Sequence, residues 1–231
     1  MNYLLVFSVL LIVYAVGVLT VRYLVKYKNL VNLIFAIVIF TLYLYTVRYM
    51  YFDVGPNDWN FKNTLPTANV SPFMFCLTPL TLLMPRVIRK HLFTLISLLS
   101  LGMVIAGLGG ALGYMARNYA FHWHITFDCA AHVVISLWGV YLLKSGQAEL
   151  TPKKATQGGS IIVGVAVLML VLNLIFKTAF FGLSLYGEHN IYNNKIFESG
   201  IVSAMAYFLG LCFVLFAGYF YQKVLNINKK L

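Results

Sequence analysis

Acidic residues are scarce in this chain: six Asp and Glu stand against 17 Lys and Arg in 231 residues, and charged residues make up only 10% of the whole. So few charges, with 61% hydrophobic residues, leave too little polar surface to coat a soluble globule. Cysteine is also rare. Cys76, Cys129 and Cys212 all lie inside apolar runs, which excludes a disulfide framework and a Cys-x-x-Cys metal motif. No connection between apolar runs is long enough for a soluble domain, so any chemistry belongs to the helices themselves. The formal charge of +11 does not point to nucleic acid, because the basic residues sit in short segments between apolar runs.

What the chain has instead is long apolar runs. Residues 3–25, 30–52, 69–88, 91–115, 122–144, 160–182 and 199–222 each supply about 20 mostly apolar residues, the length a helix needs to cross a layer of roughly 30 Å. This predicts an all-α integral membrane protein, a single helical-bundle domain over residues 1–231 with seven transmembrane helices. The first run has only Met1 and Asn2 before it, and its basic residues follow the apolar stretch, so it reads as a retained helix. Twelve of the 17 basic residues fall after the first, third, fifth and seventh runs; Arg48, Lys62, Arg117, Lys177 and Lys195 fall on the other side. The positive-inside bias then predicts an outer N-terminus and a cytoplasmic C-terminus.

Two outer connections are aromatic and polar. Residues 53–68 read as an irregular strap, with Trp59 and the nearby Tyr43, Tyr45, Tyr49 and Tyr51 in an interfacial belt. Residues 183–198 form the other, carrying Glu188 and His189, with Glu198 at its edge. In the fourth run, Gly102, Ala106 and Gly110 repeat at four-residue spacing, a pattern for close helix packing.

The chemistry concentrates in residues 122–144. His124, Asp128 and His132 recur every four residues and therefore share one helix face. Ionisable groups in hydrocarbon cost roughly 2.5–3.5 kcal/mol each on insertion scales, so they turn into a bundle and mark a working site. On the third run, Cys76 is about 10 Å deep from the outer side and His132 about 15 Å deep at 1.5 Å per residue. Depth alone thus permits a thiol nucleophile with an imidazole base and Asp128 as its orienting carboxylate. Asn173 and Lys177 share a face of the sixth run, and Arg117 and His122 stand at the outer rim; with His124 these are candidate lipid-contacting groups. Two other readings remain open: a zinc site on His124, Asp128 and His132, which needs ligands from further helices, and a proton-coupled carrier using the same face opposite Lys177.

The run Leu65–Leu80, with Pro72-x-x-x-Cys76, followed about fifty residues later by Phe127 to His132, resembles the YwaF-like family of bacterial multi-pass membrane proteins. Asn173 and the polar segment after it extend the resemblance over most of the chain. Animal relatives of that family are transmembrane acyltransferases that use a Cys and a His to move fatty acyl chains onto ether lysophospholipids. The resemblance implies Cys76 and His132 as the reacting pair, membrane lipids as partners, no cofactor, and a bacterial plasma membrane as the location. One departure matters: many bacterial members carry a histidine two residues before the cysteine, where this chain has Met74. Activation of the thiol then falls to the fifth helix.

Overall fold

Runs of Leu, Ile, Val and Phe, only the third of them interrupted by proline, leave helix as the only way to pair the backbone amides in an apolar setting, and helix is what these runs form. The computed structural model describes residues 2–55, 70–116, 121–176 and 200–227, and seven α-helices and no strand are found among them. They are α1 (Tyr3–Thr20), α2 (Lys28–Tyr49), α3 (Val70–Leu80), α4 (Arg86–Ala116), α5 (Trp123–Lys144), α6 (Pro152–Phe176) and α7 (Gly200–Ile227). Among the described residues, five helical segments are long and apolar enough to cross a membrane: Tyr3–Asp53, Arg86–Ala116, Trp123–Lys144, Pro152–Ile175 and Ala204–Leu225.

The first of these segments folds back on itself. Asn2 caps α1 by accepting the Leu5 amide at 3.1 Å, and a 3₁₀ stretch, Val21–Tyr27, joins α1 to α2. At Tyr27 the backbone leaves the helical region (φ −107°, ψ 43°). The Tyr3 ring meets Phe121 just before α5, and Gly17 faces Leu137, so α1 runs along α5. In α2 the order is reversed: Asn32 bonds Trp138, while Tyr45 meets Phe127 and Tyr49 meets His124.

Two element boundaries differ from the sequence expectation, each for a local reason. The third apolar run is no single helix over 69–88: α3 tightens into a 3₁₀ turn at Thr81–Leu83, and Met84 is extended (ψ 151°) ahead of Pro85. Proline excludes helical geometry from the residue before it and suits the first turn of a new helix, so α4 begins at once with Arg86. The Arg89 guanidinium then donates to the Met84 carbonyl at 2.8 Å. The sixth helix starts at Pro152, eight residues before the expected 160, because Thr151 accepts the Lys154 amide at 3.3 Å and Pro152 fits the first turn. Gly158 lies within the helix, where a Cβ would come within 3.1 Å of Thr94 on α4.

α5 is the hub, packing against α1, α2, α3, α4 and α7. Its second half is sealed: Trp138, Tyr141 and Leu142 are each 0% exposed. Small residues set the α4–α5 approach. A Cβ on Gly139 would come within 2.9 Å of the Ile96 carbonyl, and one on Gly107 within 2.7 Å of the Cys129 carbonyl. Serines then stitch the two helices: Ser97 Oγ donates to Gly139 O at 2.9 Å, and Ser136 Oγ to Ser100 O at 2.6 Å. α7 joins the same seam through Gln222 Nε2, which donates to Ser97 O at 3.1 Å and to Ser100 Oγ. From α1, Tyr14 lies 3.2 Å from Ser136 Oγ and bonds the Tyr221 hydroxyl. In the glycine repeat of α4, Gly102 packs on Val214 of α7 and Gly110 on Cys129. At the opposite end of α5 from His122, Trp138 donates to Asn32 at 3.0 Å and Asn32 to Gln147 at 2.8 Å. The outward faces of α1, α2, α6 and α7 carry large aliphatic and aromatic side chains, such as Ile12, Ile37, Leu168 and Phe213.

The seam generates a sharp contrast. Gly139→Val should destabilise the detergent-solubilised protein by about 1–3 kcal/mol through overpacking. Gly109→Ala, at a position with open space around it, should leave thermal unfolding unchanged or slightly raised. A thermal-shift comparison of the two variants checks this.

Candidate functional site

The site residues on α3 owe their position to the prolines. Pro79 has no amide proton, so the Phe75 carbonyl loses its helical donor and the helix is short and irregular there. This short helix packs mainly against α2, with further contacts to α5 and α4. Phe75, 1% exposed, faces both neighbours: its ring centroid is 5.9 Å from that of Tyr43 on α2 and 4.8 Å, edge to face at 87°, from the His132 imidazole on α5. Cys76, one residue on, is half-buried, with Tyr43 close by. Cys76, Tyr43, Phe75 and His132 therefore form one continuous group. In it the sulfur's neighbour is a phenol, and the imidazole's neighbour is a phenyl ring.

His132 is held from its own helix. Nδ1 sits 2.8 Å from the Asp128 main-chain oxygen and 3.7 Å from Asp128 Oδ2. A carbonyl can only accept, so Nδ1 carries the proton and Nε2 of the neutral ring keeps its lone pair. The Asp128 side chain is 46% exposed, whereas that of His132 is 8% exposed. The third member of the stripe turns elsewhere: His124 stacks on Tyr49 at 4.4 Å and 15°, with His122 5.5 Å away. Among the described residues no three His, Cys, Asp or Glu side chains converge so as to hold a metal ion.

The remaining candidates divide between another part of the bundle and the residues not described. Asn173 is 0% exposed on α6, whose main neighbours are α4 and α7, so it belongs to a different group of helices from Cys76 and His132. Arg117 and Lys177, together with Glu188, His189 and Glu198, lie outside the described residues. Tyr43, grouped by sequence with the aromatic belt of Tyr45, Tyr49 and Tyr51, is 6% exposed and packs its ring on Phe75. Depth held the signal: Tyr43 is six residues, or about 9 Å at helical rise, deeper than Tyr49.

No family model, curated protein or solved structure matches the chain.

Phe75 should prove the packing key of this group and Asp128 its dispensable member for folding. Phe75→Ala is expected to cost about 3–5 kcal/mol, as for other buried phenylalanines. Asp128→Asn keeps the main-chain oxygen that binds Nδ1, and should change stability by less than about 1 kcal/mol. Thermal unfolding in detergent measures both.

Proposed function

We propose that this is a seven-crossing membrane enzyme of the YwaF-like kind, N-terminus outside, that cleaves or transfers a phospholipid acyl chain through Cys76. The observation that carries the reading is the contiguous group Cys76–Tyr43–Phe75–His132. Through Phe75, which adjoins Cys76 in sequence and packs on His132, it supports pairing a thiol with an imidazole 56 residues away in sequence. The seven crossings are supported by the opposed runs of α1 and α2 along α5, which make two passes of the first long segment. α3 supplies the shortest pass. The orientation is supported by the basic residues, and a bacterial plasma membrane by the resemblance.

Position suits the substrate. Cys76 is six residues into α3, about 9 Å at helical rise, a short distance below the boundary where phospholipid ester carbonyls sit. Apolar helix faces accept the acyl chain, and no cofactor is required. In the proposed step the Cys76 sulfur bonds to the ester carbonyl carbon while its proton passes to His132 Nε2. Collapse of the tetrahedral adduct breaks the carbon–oxygen bond, and the imidazolium returns the proton to the departing alkoxide. A lysolipid hydroxyl or water then takes the acyl group from sulfur, with His132 as base. Asp128 holds the imidazole and steadies its cationic form. The pathway requires the Phe75 ring to swing off the imidazole when the lipid enters.

A second reading has its own observation. With Tyr43 close to the sulfur and Phe75 on the imidazole, the two groups stand apart, as in a lipid-binding or transport protein that uses the half-exposed Asp128. Intact-mass analysis after incubation with phospholipid vesicles separates the two. The enzyme reading expects one acyl adduct on Cys76, lost in Cys76→Ala and formed roughly 10²–10⁴ times more slowly in His132→Ala. Wild-type protein that stays unmodified, with lipid uptake abolished by Asp128→Asn alone, would establish the carrier instead.

A further inference from the structure

The bundle gathers its basic side chains at one end. Asn32 donates to Gln147 at 2.8 Å, Thr94 Oγ1 to the Glu149 carbonyl at 3.4 Å, and Lys144 bonds the Leu225 carbonyl. The starts of α2, α4 and α6 and the ends of α5 and α7 therefore lie together. Among the described residues every Lys and Arg except Arg48 falls at this end, against one carboxylate, Glu149. Two of these cations serve the fold itself, Arg89 on the Met84 carbonyl and Lys144 on that of Leu225. Arg86, Lys90, Lys153 and Lys154 make no ion pair among the described residues, with Glu149 or any other acid. We propose that these four side chains form a site for the phosphate of an anionic phospholipid head group such as phosphatidylglycerol. The site needs none of the thiol chemistry proposed above.

Backbone packing brings the four together. A Cβ on Gly158 would come within 3.1 Å of Thr94, so α4 and α6 touch at that level. One turn from this contact toward the basic end stand Lys90 on α4 and Lys154 on α6. Arg86 is one turn beyond Lys90, and Lys153 adjoins Lys154. Arg86, Lys90 and Lys153 are exposed and Lys154 is half-buried. Neither helix has an acidic residue in its first turn to separate these like charges, so an anion between the two helices relieves their repulsion.

The surroundings favour a lipid over an acidic protein in water. Leu83 and Val87, on either side of Arg86, are 82% and 73% exposed. At the α1–α2 joint the exposed rings of Tyr23 and Tyr27 lie under Arg22 and Lys26, at 4.8 Å and 4.7 Å. Apolar and aromatic side chains interleaved with cations suit a membrane boundary, where the apolar groups enter the acyl layer and the cations reach the phosphates. A partner in water leaves Leu83 and Val87 uncovered.

Native mass spectrometry of the full chain, extracted from vesicles of mixed phosphatidylglycerol and phosphatidylcholine, counts the lipids retained. Each cation near an anionic surface is worth roughly fivefold in affinity. The wild type is expected to retain phosphatidylglycerol roughly 100-fold over phosphatidylcholine. Lys90→Gln with Lys154→Gln should lower that preference roughly 25-fold, while Arg48→Gln at the opposite end leaves it unchanged. Equal retention of both lipids by the wild type, or an undiminished preference in a double variant of native thermal stability, overturns the proposal. Should the double variant not fold, wild type extracted at rising salt takes its place: the preference is expected to fall as the charges are screened, and a preference independent of salt overturns it. Inorganic phosphate that stabilises the protein in pure phosphatidylcholine as well as phosphatidylglycerol does would show an adventitious ion only. Polyglutamate bound as tightly as phosphatidylglycerol would assign the patch to an acidic protein instead; either result overturns the lipid site.

Discussion

The seam between α4 and α5 is the constraint from which the rest of this structure follows. Two apolar helices in lipid gain little from hydrophobic contact with each other, because lipid tails solvate them equally well; close packing and hydrogen bonds must hold them. Gly107 and Gly139 remove the side chains that would keep the backbones apart. That closeness lets Ser97 and Ser136 reach carbonyls on the opposite helix. Each such bond is worth about 0.6 kcal/mol on average in a membrane setting, so no single serine holds the seam. α7 through Gln222 and α1 through Tyr14 add to the same cluster, which makes it a four-helix junction.

The same seam also places the imidazole. His132 shares the α4-facing stripe of Ser136 and Gly139: its Cβ lies against Gly107 of α4, and its ring reaches Phe75 of α3. α3 is the element least bound to the bundle by length, since prolines limit it to eleven helical residues plus a 3₁₀ turn. A short, irregular helix thus carries the thiol beside a long helix that carries the imidazole. Asp128 links the two environments, its main-chain oxygen engaged with buried His132 and its carboxylate half-exposed.

The sequence made some of this plain and hid the rest for physical reasons. Apolar run length and the absence of acid were enough for an all-helical membrane body, and the 122–144 stretch could be identified as its centre. The boundaries at Met84-Pro85 and Thr151-Pro152 escape hydropathy, which averages over local turn chemistry: the prolines of the third run signal kinks but not a break between two helices. The glycine stripe read from spacing was partly right: Gly102 and Gly110 do meet neighbours, but the glycine of that helix that lies against a neighbouring backbone is Gly107, between them. Serines in a span look like small fillers until two helices are close enough for them to bridge. Tyr43 was hidden among the tyrosines of an interfacial belt, and only the α2–α3 packing separates it from Tyr45 and Tyr49. Joint residence of Cys76 and His132 in one group was permitted by depth alone; that Phe75 and Tyr43 stand beside them was not readable from spacing.

The central claim is that this setting makes Cys76 a nucleophile reachable from lipid, and one comparison tests it directly. Cys212 is exposed on α7, while Cys129 is buried in the α4–α5 seam. Alkylation by a long-chain iodoacetamide partitioned into the vesicle, read out cysteine by cysteine by peptide mass spectrometry, ranks the three. The account expects Cys76 to react faster than the more exposed Cys212, to lose that advantage in His132→Ala, and Cys129 to remain unmodified. Faster labelling of Cys212, with Cys76 inert in the wild type, would contradict it.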